Sequence, residues 1–287
     1  MLAKVVGPKV PFVFSVDVED PNSGSDGQGA PARVAAMTDR YLAFLAERKF
    51  SGTFFVVGQI ALALPDLVRR IAGAGHELAC HSHCHRPLEH MGEDGFRDDL
   101  SRALDALAGA GAQTIEGYRA PMFSLTRRTP WAHRILAEMG FTYSSSVLAA
   151  PNPLFSWREF GSAPRLVGQV LELPITMLSP CILPFPAGGV YLRALPRQVV
   201  RKALDRHHSR GQAVRSYLHP YDIDDTPGAP RAFEHASGPL YRWLLSRNRS
   251  DVFARLESVA DRGFDFSSYG QHALAVRGGL AQDMVGG

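Results

Sequence analysis

Short β-branched apolar runs alternate with amphipathic stretches along this chain, and that alternation restricts its fold more than any other feature. Residues 10–18 and 52–57 (GTFFVV) read as buried strands. Between them, Met37, Tyr41, Phe44 and Leu45 recur on one helix face. Further strands are expected at 76–80, 114–118, 141–145, 170–173, 213–218 and 264–266. Helices are expected at 65–74, through Phe96, Leu100, Leu104 and Leu107, and at 130–139, 196–208 and 240–260. Strands joined through helices run parallel, because each crossover returns the chain to the same end of the sheet. About seven such units suit a closed barrel better than an open sheet. The expected class is α/β, a distorted, TIM-barrel-like (β/α) barrel of about seven strands.

In such barrels the chemistry sits on the loops after the strand C-termini. The unusual polar residues gather there. Asp17, Glu19 and Asp20 close the first strand, His81, His83 and His85 follow the third, Arg119 ends the fourth and His219 the seventh. Long Pro- and Gly-rich connections (21–31, 149–168, 174–189 and 222–239) leave the same ends. Loops of that length in a compact domain usually serve function.

Five of the eleven histidines (His76, His81, His83, His85, His90) fall within fifteen residues. His81 and His85 are four apart, so a helical turn would put both imidazoles on one side. Alone, such a pair often does no more than cap backbone carbonyls. One carboxylate from Asp17–Asp20 would complete a two-histidine, one-acid set that leaves positions open for water and substrate. Zn²⁺ suits that set best, with Co²⁺, Ni²⁺, Mn²⁺ and Fe²⁺ as alternatives. The acids of D-V-E-D can divide the work, one ligating and another taking a proton from water. Arg119 precedes Ala120-Pro121, an extended backbone, and can hold a carboxylate ionised and turned correctly. His219, a residue type whose unperturbed pKa lies near neutral pH, could protonate a leaving amine.

Composition excludes several alternatives. Of 287 residues, 45% are hydrophobic and 21% charged, enough for a sizeable core. The formal charge of +3 offers no polycationic face for nucleic acid. Three cysteines (Cys80, Cys84, Cys181) are too few for a disulfide framework and fit a reducing compartment. Cys80 and Cys84 stand beside the histidines but off the His81/His85 face, and read as structural. No leader-like or membrane-spanning stretch is read, so the expectation is a cytoplasmic chain with no transmembrane segment. Residues 276–287 read as a loose tail. Oligomeric state is open.

Six segments in order, SVDVED (15–20), TFFVVG (53–58), HELACHSHCHRP (76–87), GYRAPMFSL (117–125), GGVYLRALP (188–196) and YLHPYDID (217–224), resemble the polysaccharide deacetylases of the NodB-homology type, carbohydrate esterase family 4. More narrowly, they are similar to the bacterial exopolysaccharide-locus deacetylases, which group with the allantoinase-like and peptidoglycan-deacetylase-like branch. The resemblance implies a single NodB-like catalytic domain over 1–287, loop-rich from about 220, with one divalent metal. It implies Asp17 as the base and His81 and His85 as ligands. The second acid as ligand is Glu19 or Asp20, and the spacing of this branch favours Glu19. It implies Arg119 as the residue orienting the base, the Met122 backbone N–H at the oxyanion and His219 as the acid. One departure stands out: where relatives carry Tyr-Asp-Ser-Ser, this chain has Tyr143-Ser144-Ser145-Ser146. A serine cannot hold a histidine cation as a carboxylate can, and Asp222 or Asp224 are the candidates to substitute. His83 has no role in the pattern.

The implied activity is metal-dependent removal of N-acetyl groups from amino-sugar residues of a bacterial polysaccharide or its precursor, as in exopolysaccharide biosynthesis. Two alternatives stand beside it: an allantoinase-like hydrolase of a cyclic amide or ureide, and a non-catalytic glycan- or metal-binding relative.

Overall fold

Strand formation follows the β-branched and aromatic runs, and the first of them sets the frame. In the computed structural model, which describes residues 9–20, 31–150, 155–179, 184–226 and 246–285, the apolar run at 10–18 is two strands rather than one. Strand β1 (Val10–Val13) pairs in parallel with β11 (Val214–Arg215) and β12 (Phe264–Ser267). Strand β2 (Ser15–Val18) pairs in parallel with β3 (Thr53–Val56). Phe14 is the transfer point: its N–H bonds Ser267 while its carbonyl accepts from Thr53. A single continuous run therefore belongs to two sheets, which periodicity cannot reveal.

The larger sheet has seven strands in the order β2-β3-β4-β5-β6-β8-β7. Here β4 is Glu77–Cys80, β5 Gly117–Tyr118, β6 Tyr143–Ser144, β7 Arg165–Val167 and β8 Val170–Glu172. All neighbours are parallel except β7, which turns back on β8. An isolated bridge, Val16 to Leu218, ties this sheet to the β11 segment. A two-residue hairpin pair, β9 (Met177–Leu178) with β10 (Phe185–Pro186), lies outside both sheets. The result is the expected α/β class, a mostly parallel sheet curled as a distorted barrel.

Helices cover the outside. Helix α1 (Pro31–Arg48) buries Val34, Met37, Tyr41, Phe44 and Leu45, the face expected from spacing. Helices α2 (Gly58–Ala63), α3 (Pro65–Gly73), α4 (Gly92–Gly109) and α5 (Ala132–Glu138) follow. Then come α6 (Gly189–Ala194), α7 (Arg197–His208), α8 (Val252–Ala260) and α9 (Tyr269–Val285). Of the helix expected at 240–260, residues 240–245 lie outside the described residues.

Residues 276–285 are helical, not a loose tail. Gly278 and Gly279 weaken the local helix tendency. Tyr269 and Ala273 nonetheless pack into a core patch with Val13, Phe55, Ala79, Tyr143, Leu171 and Leu173, with Val276 and Leu280 against it. Packing of that face outweighs propensity. Among the described residues no helix is long and apolar enough to cross a membrane.

Candidate active site

The polar residues at the strand ends converge, as the barrel rule requires. Asp17 lies on β2, with Glu19 and Asp20 just past its end, and all three are buried. His81 follows β4 directly; Ser82 and His85 take left-handed backbone conformations (φ 68° and 53°). Those two residues turn the H-x-x-x-H segment back on itself, so it forms a folded loop rather than a helical turn. A buried carboxylate holds the turn: Asp99 of α4 accepts from Ser82 Oγ, from the His83 N–H (2.7 Å) and from the Cys84 N–H (3.0 Å). Asp99 was legible in principle, as a carboxylate set into the apolar stripe Phe96, Leu100, Ala103, Leu107.

Among the described residues, Glu19, His81 and His85 have ligand atoms within 4.8 Å of one another, a spacing that could hold a metal ion. Asp20 lies outside that set. Glu19 Oε2 is 3.2 Å from His81 Nε2 and 2.5 Å from His85 Nε2. The chemistry of these donors fits a cation. His81 Nδ1 faces the Arg119 carbonyl at 2.9 Å, an atom that can only accept, so Nδ1 carries the proton. His81 Nε2 meets the Glu19 carboxylate at 3.2 Å, either donating to it from a doubly protonated ring or turning its lone pair to a cation the two would share. His85 Nε2 is buried and makes no aligned hydrogen bond despite its closeness to Glu19. Two imidazole nitrogens and one carboxylate oxygen turned on each other need a positive charge between them. Burial alone would raise the Glu19 carboxyl, yet His85 and His81 hold it well below the usual carboxylate range. Burial likewise opposes charge on His85, but Glu19 raises it above its ordinary value.

Beside this cluster sits a fully buried ion pair. Arg119, at the end of β5, donates from Nη1 to Asp17 Oδ1. The guanidinium is held on every side. It reaches Ser15 Oγ at 2.7 Å and the Ser145 carbonyl and Oγ at 3.1 Å each. It also lies 4.0 Å from the Phe55 ring centroid and 4.9 Å from that of Tyr269. Burial disfavours the cation, but Asp17 raises the Arg119 pKa overall. The serine run thus has a use the sequence did not show: Ser145 grips Arg119, and Ser146 Oγ accepts from the Ala120 N–H at 2.9 Å. Glu172, paired with His133, fixes the same turn by accepting from the Ser146 and Val147 N–H groups.

His219 faces the cluster from the opposite side. Its Nε2 stands 4.0 Å from both Asp17 Oδ2 and Glu19 Oε1, beyond hydrogen-bond range. Its Nδ1 lies 2.8 Å from Asp222 Oδ2, which also accepts the His219 N–H at 3.0 Å. Burial lowers the imidazole pKa, but Asp222 first, then Glu19 and Asp17, raise it to about 9. Asp222 itself is held at about 2, against the push of burial, by His219 and Arg193. Of the two candidates to replace the missing aspartate, Asp222 is therefore the one on His219. Asp224 bonds Arg33 and Thr226 instead. Ser144 bonds Ser146. Met122 sits on the turn after β5 with φ 56°, followed by Phe123 at 55°. Left-handed non-glycine residues are uncommon and concentrate at functional sites.

The other histidines and cysteines of the 76–90 segment fall away from the cluster. His76 packs on Phe54, His90 is exposed, and the His83 ring lies against Gly58. The Cys80 thiol is pushed by burial up to about 12, and burial also raises that of Cys84; neither is poised as a thiolate ligand. Cys181 lies outside the described residues.

Comparison with known proteins bears on the family and the fold. Residues 26–144 match the family model described as polysaccharide deacetylase, and 145–273 match one described as a domain of unknown function. The fold of the whole chain matches a candidate polysaccharide deacetylase from Mycobacterium smegmatis, with TM-score 0.65, 25% identity, and 95% of this chain and 91% of that one covered. Residues 26–144 thus match the polysaccharide deacetylase family, the one that the strand-end motifs resemble.

A peptidoglycan-N-acetylglucosamine deacetylase of Bacillus cereus is 33% identical over 81 residues, 27% of this chain and 30% of that protein. A chitooligosaccharide deacetylase of Rhizobium leguminosarum is 34% identical over 76 residues, 26% and 35% of the two. The chain thus spans about a third of the length of these relatives. The fold is also shared with a pseudoenzyme of carbohydrate esterase family 4 from Bacillus anthracis (TM-score 0.50, 13% identity, 93% and 66% covered). Function must therefore be argued from the residues rather than from the fold.

Proposed function

We propose that this protein is a metal-dependent N-deacetylase acting on the acetamido group of amino-sugar residues in a bacterial polysaccharide or its precursor. The observation carrying this reading is the convergence of Glu19, His81 and His85 beside the buried Asp17–Arg119 pair, with the His219 Nε2 4.0 Å away. The named activities of the Bacillus and Rhizobium relatives point to N-acetylglucosamine-containing substrates. We also read the chain as one catalytic unit. The junction of the two matched families at 144/145 falls inside one sheet, where β6 pairs with β8.

Glu19, His81 and His85 would hold the metal, with Zn²⁺ the best suited to two imidazoles and one carboxylate. A divalent ion bound there polarises a carbonyl and acidifies a water. Asp17, oriented by Arg119, takes the proton of the attacking water. The Met122 N–H is the candidate donor to the oxyanion of the tetrahedral intermediate. As the C–N bond breaks, its electron pair goes to nitrogen and His219 Nε2 supplies the proton, releasing acetate and the free amine.

The test combines elemental analysis of the purified protein with acetate release from N-acetylglucosamine oligomers. One bound divalent ion and acetate release are expected from the wild type, and His81→Ala should lose both. Acetate release surviving in both His81→Ala and Asp17→Asn would overturn the assignment.

A further inference from the structure

A second buried arginine–aspartate pair stands behind His219, and its arginine has no part yet in the proposed chemistry. Asp222 and Arg193 are both fully buried, and Arg193 Nε donates to Asp222 Oδ1 at 2.8 Å. The other carboxylate oxygen receives the His219 Nδ1–H at 2.8 Å and the His219 backbone N–H at 3.0 Å. Arg193 is itself seated from two sides. Its Nη1 donates to the Arg247 carbonyl at 2.6 Å, and its own carbonyl accepts from Asn248 Nδ2 at 3.0 Å. Asn248 adopts φ 54° to make that bond, a left-handed conformation asparagine tolerates. The imidazole is sandwiched as well, stacked on Tyr221 at 4.5 Å and met edge-on by Tyr217 at 5.6 Å.

We infer that Arg193 and Asp222 form a positioning pair that fixes the ring orientation and tautomer of His219, so that its Nε2–H is the proton delivered to the departing amine. A free carboxylate could rotate and bond His219 through either oxygen or through neither. Arg193 holds Oδ1 and so fixes the plane of the carboxylate, which turns Oδ2 to the His219 backbone N–H and ring Nδ1 together. That orientation aims Nε2 at Asp17 and Glu19. In the reaction, the Nε2 proton moves to the amine nitrogen as the C–N bond breaks, and Nδ1 keeps its own proton on Asp222. The pair thereby supplies from the C-terminal half what Ser144 cannot, and it explains why an arginine is buried in the short α6 helix. This inference rests on the deacetylase reading above.

The test exploits leaving-group chemistry. A sugar amine needs a proton to depart, whereas 4-nitrophenolate leaves from 4-nitrophenyl acetate as an anion. Wild type, Asp222→Asn, Arg193→Lys and Asp17→Asn are assayed on N-acetylglucosamine oligomers and on 4-nitrophenyl acetate, with metal content measured in each. The ratio of amide to ester kcat is expected to fall by about 10²–10⁴ in Asp222→Asn, with KM for the oligomer and metal content little changed. Arg193→Lys, which keeps the cation but loses the planar fork, should move the ratio the same way by less. Asp17→Asn should lose both reactions together. Equal loss of amide and ester turnover in Asp222→Asn or Arg193→Lys, or an unchanged ratio, overturns the positioning role. Should Asp222→Asn fail to fold, Arg193→Lys carries the same comparison. A wild type that hydrolyses the ester but no acetamido sugar would sink the functional reading instead.

Discussion

Two buried arginine–aspartate pairs flank the candidate metal cluster, and they do opposite things with the same chemistry. Arg119–Asp17 joins the ends of two strands of the seven-stranded sheet, and its carboxylate itself faces the site. Arg193–Asp222 joins a short helix to a 3-10 turn, and its carboxylate stands one residue behind, acting only through His219. In each case a guanidinium fixes the orientation of a buried carboxylate, and Asp222 is in addition held at about 2 against the push of burial by His219 and Arg193. In the proposed chemistry the first pair presents a base, and the second backs a histidine, raised to about 9, that serves as the acid. Pairing at a distance from the reacting atoms can therefore set the role of a neighbour as firmly as direct pairing sets its own.

The comparison breaks most readily at Asp17. Asp17→Asn keeps the shape of the side chain but not its basicity, so acetate release should drop about 10²–10⁴-fold while metal content stays at wild-type level. Loss of metal in that variant would place Asp17 among the ligands rather than at the proton transfer. Next come the cations. Removing one partner of a buried pair leaves the other charge uncompensated, so Arg119→Met should destabilise the fold by about 3–5 kcal/mol in denaturant melts. Arg193→Met should cost less, because Arg119 also loses its packing on Phe55 and Tyr269. A larger loss at Arg193 would mean that the C-terminal pair is chiefly structural.

A buried histidine without a carboxylate sharpens the contrast. His272 is buried near Arg215 with its Nε2 unpartnered, and burial first, then Arg215, lower its pKa to about 4. In the unfolded chain it binds a proton near pH 6.5, so the unfolded state is the more protonated between about 6.5 and 4. Stability is accordingly lost as pH falls through that window, by up to roughly 3 kcal/mol, and the term is constant below it. His272→Gln should flatten the acid side of the stability curve, measured as melting temperature against pH; an unaltered slope would refute the assignment. The smallest effect expected is at Asp99. Its three hydrogen bonds shape the ligand loop without touching the cluster, so Asp99→Ala should weaken metal affinity by about 10–100-fold in a chelator competition.

Much of the site was legible because the signals are local. Asp17, Glu19, His81, His85, Arg119 and His219 each follow an apolar run, and a parallel barrel brings such ends to one rim whatever the details. The register at Phe14 was not legible, since one continuous apolar run can serve one sheet or two. Nor was helix α9, whose glycines argue against it until its packing face is seen. The serine run was a departure in sequence and a grip on Arg119 in space.

The sequence by itself determined the class of fold and the kinds of side chain at the strand ends, because hydrophobic period and ligand type are properties of neighbours along the chain. Tertiary structure placed Glu19, which the spacing favoured, against the two histidines, and it alone decided that Asp222 rather than Asp224 bonds His219. It alone brought Arg193 to its carboxylate. Arg119 and Asp17 are separated by 102 residues and Arg193 and Asp222 by 29. Which arginine meets which aspartate depends on sheet register and loop path, and burial then makes each match costly to break.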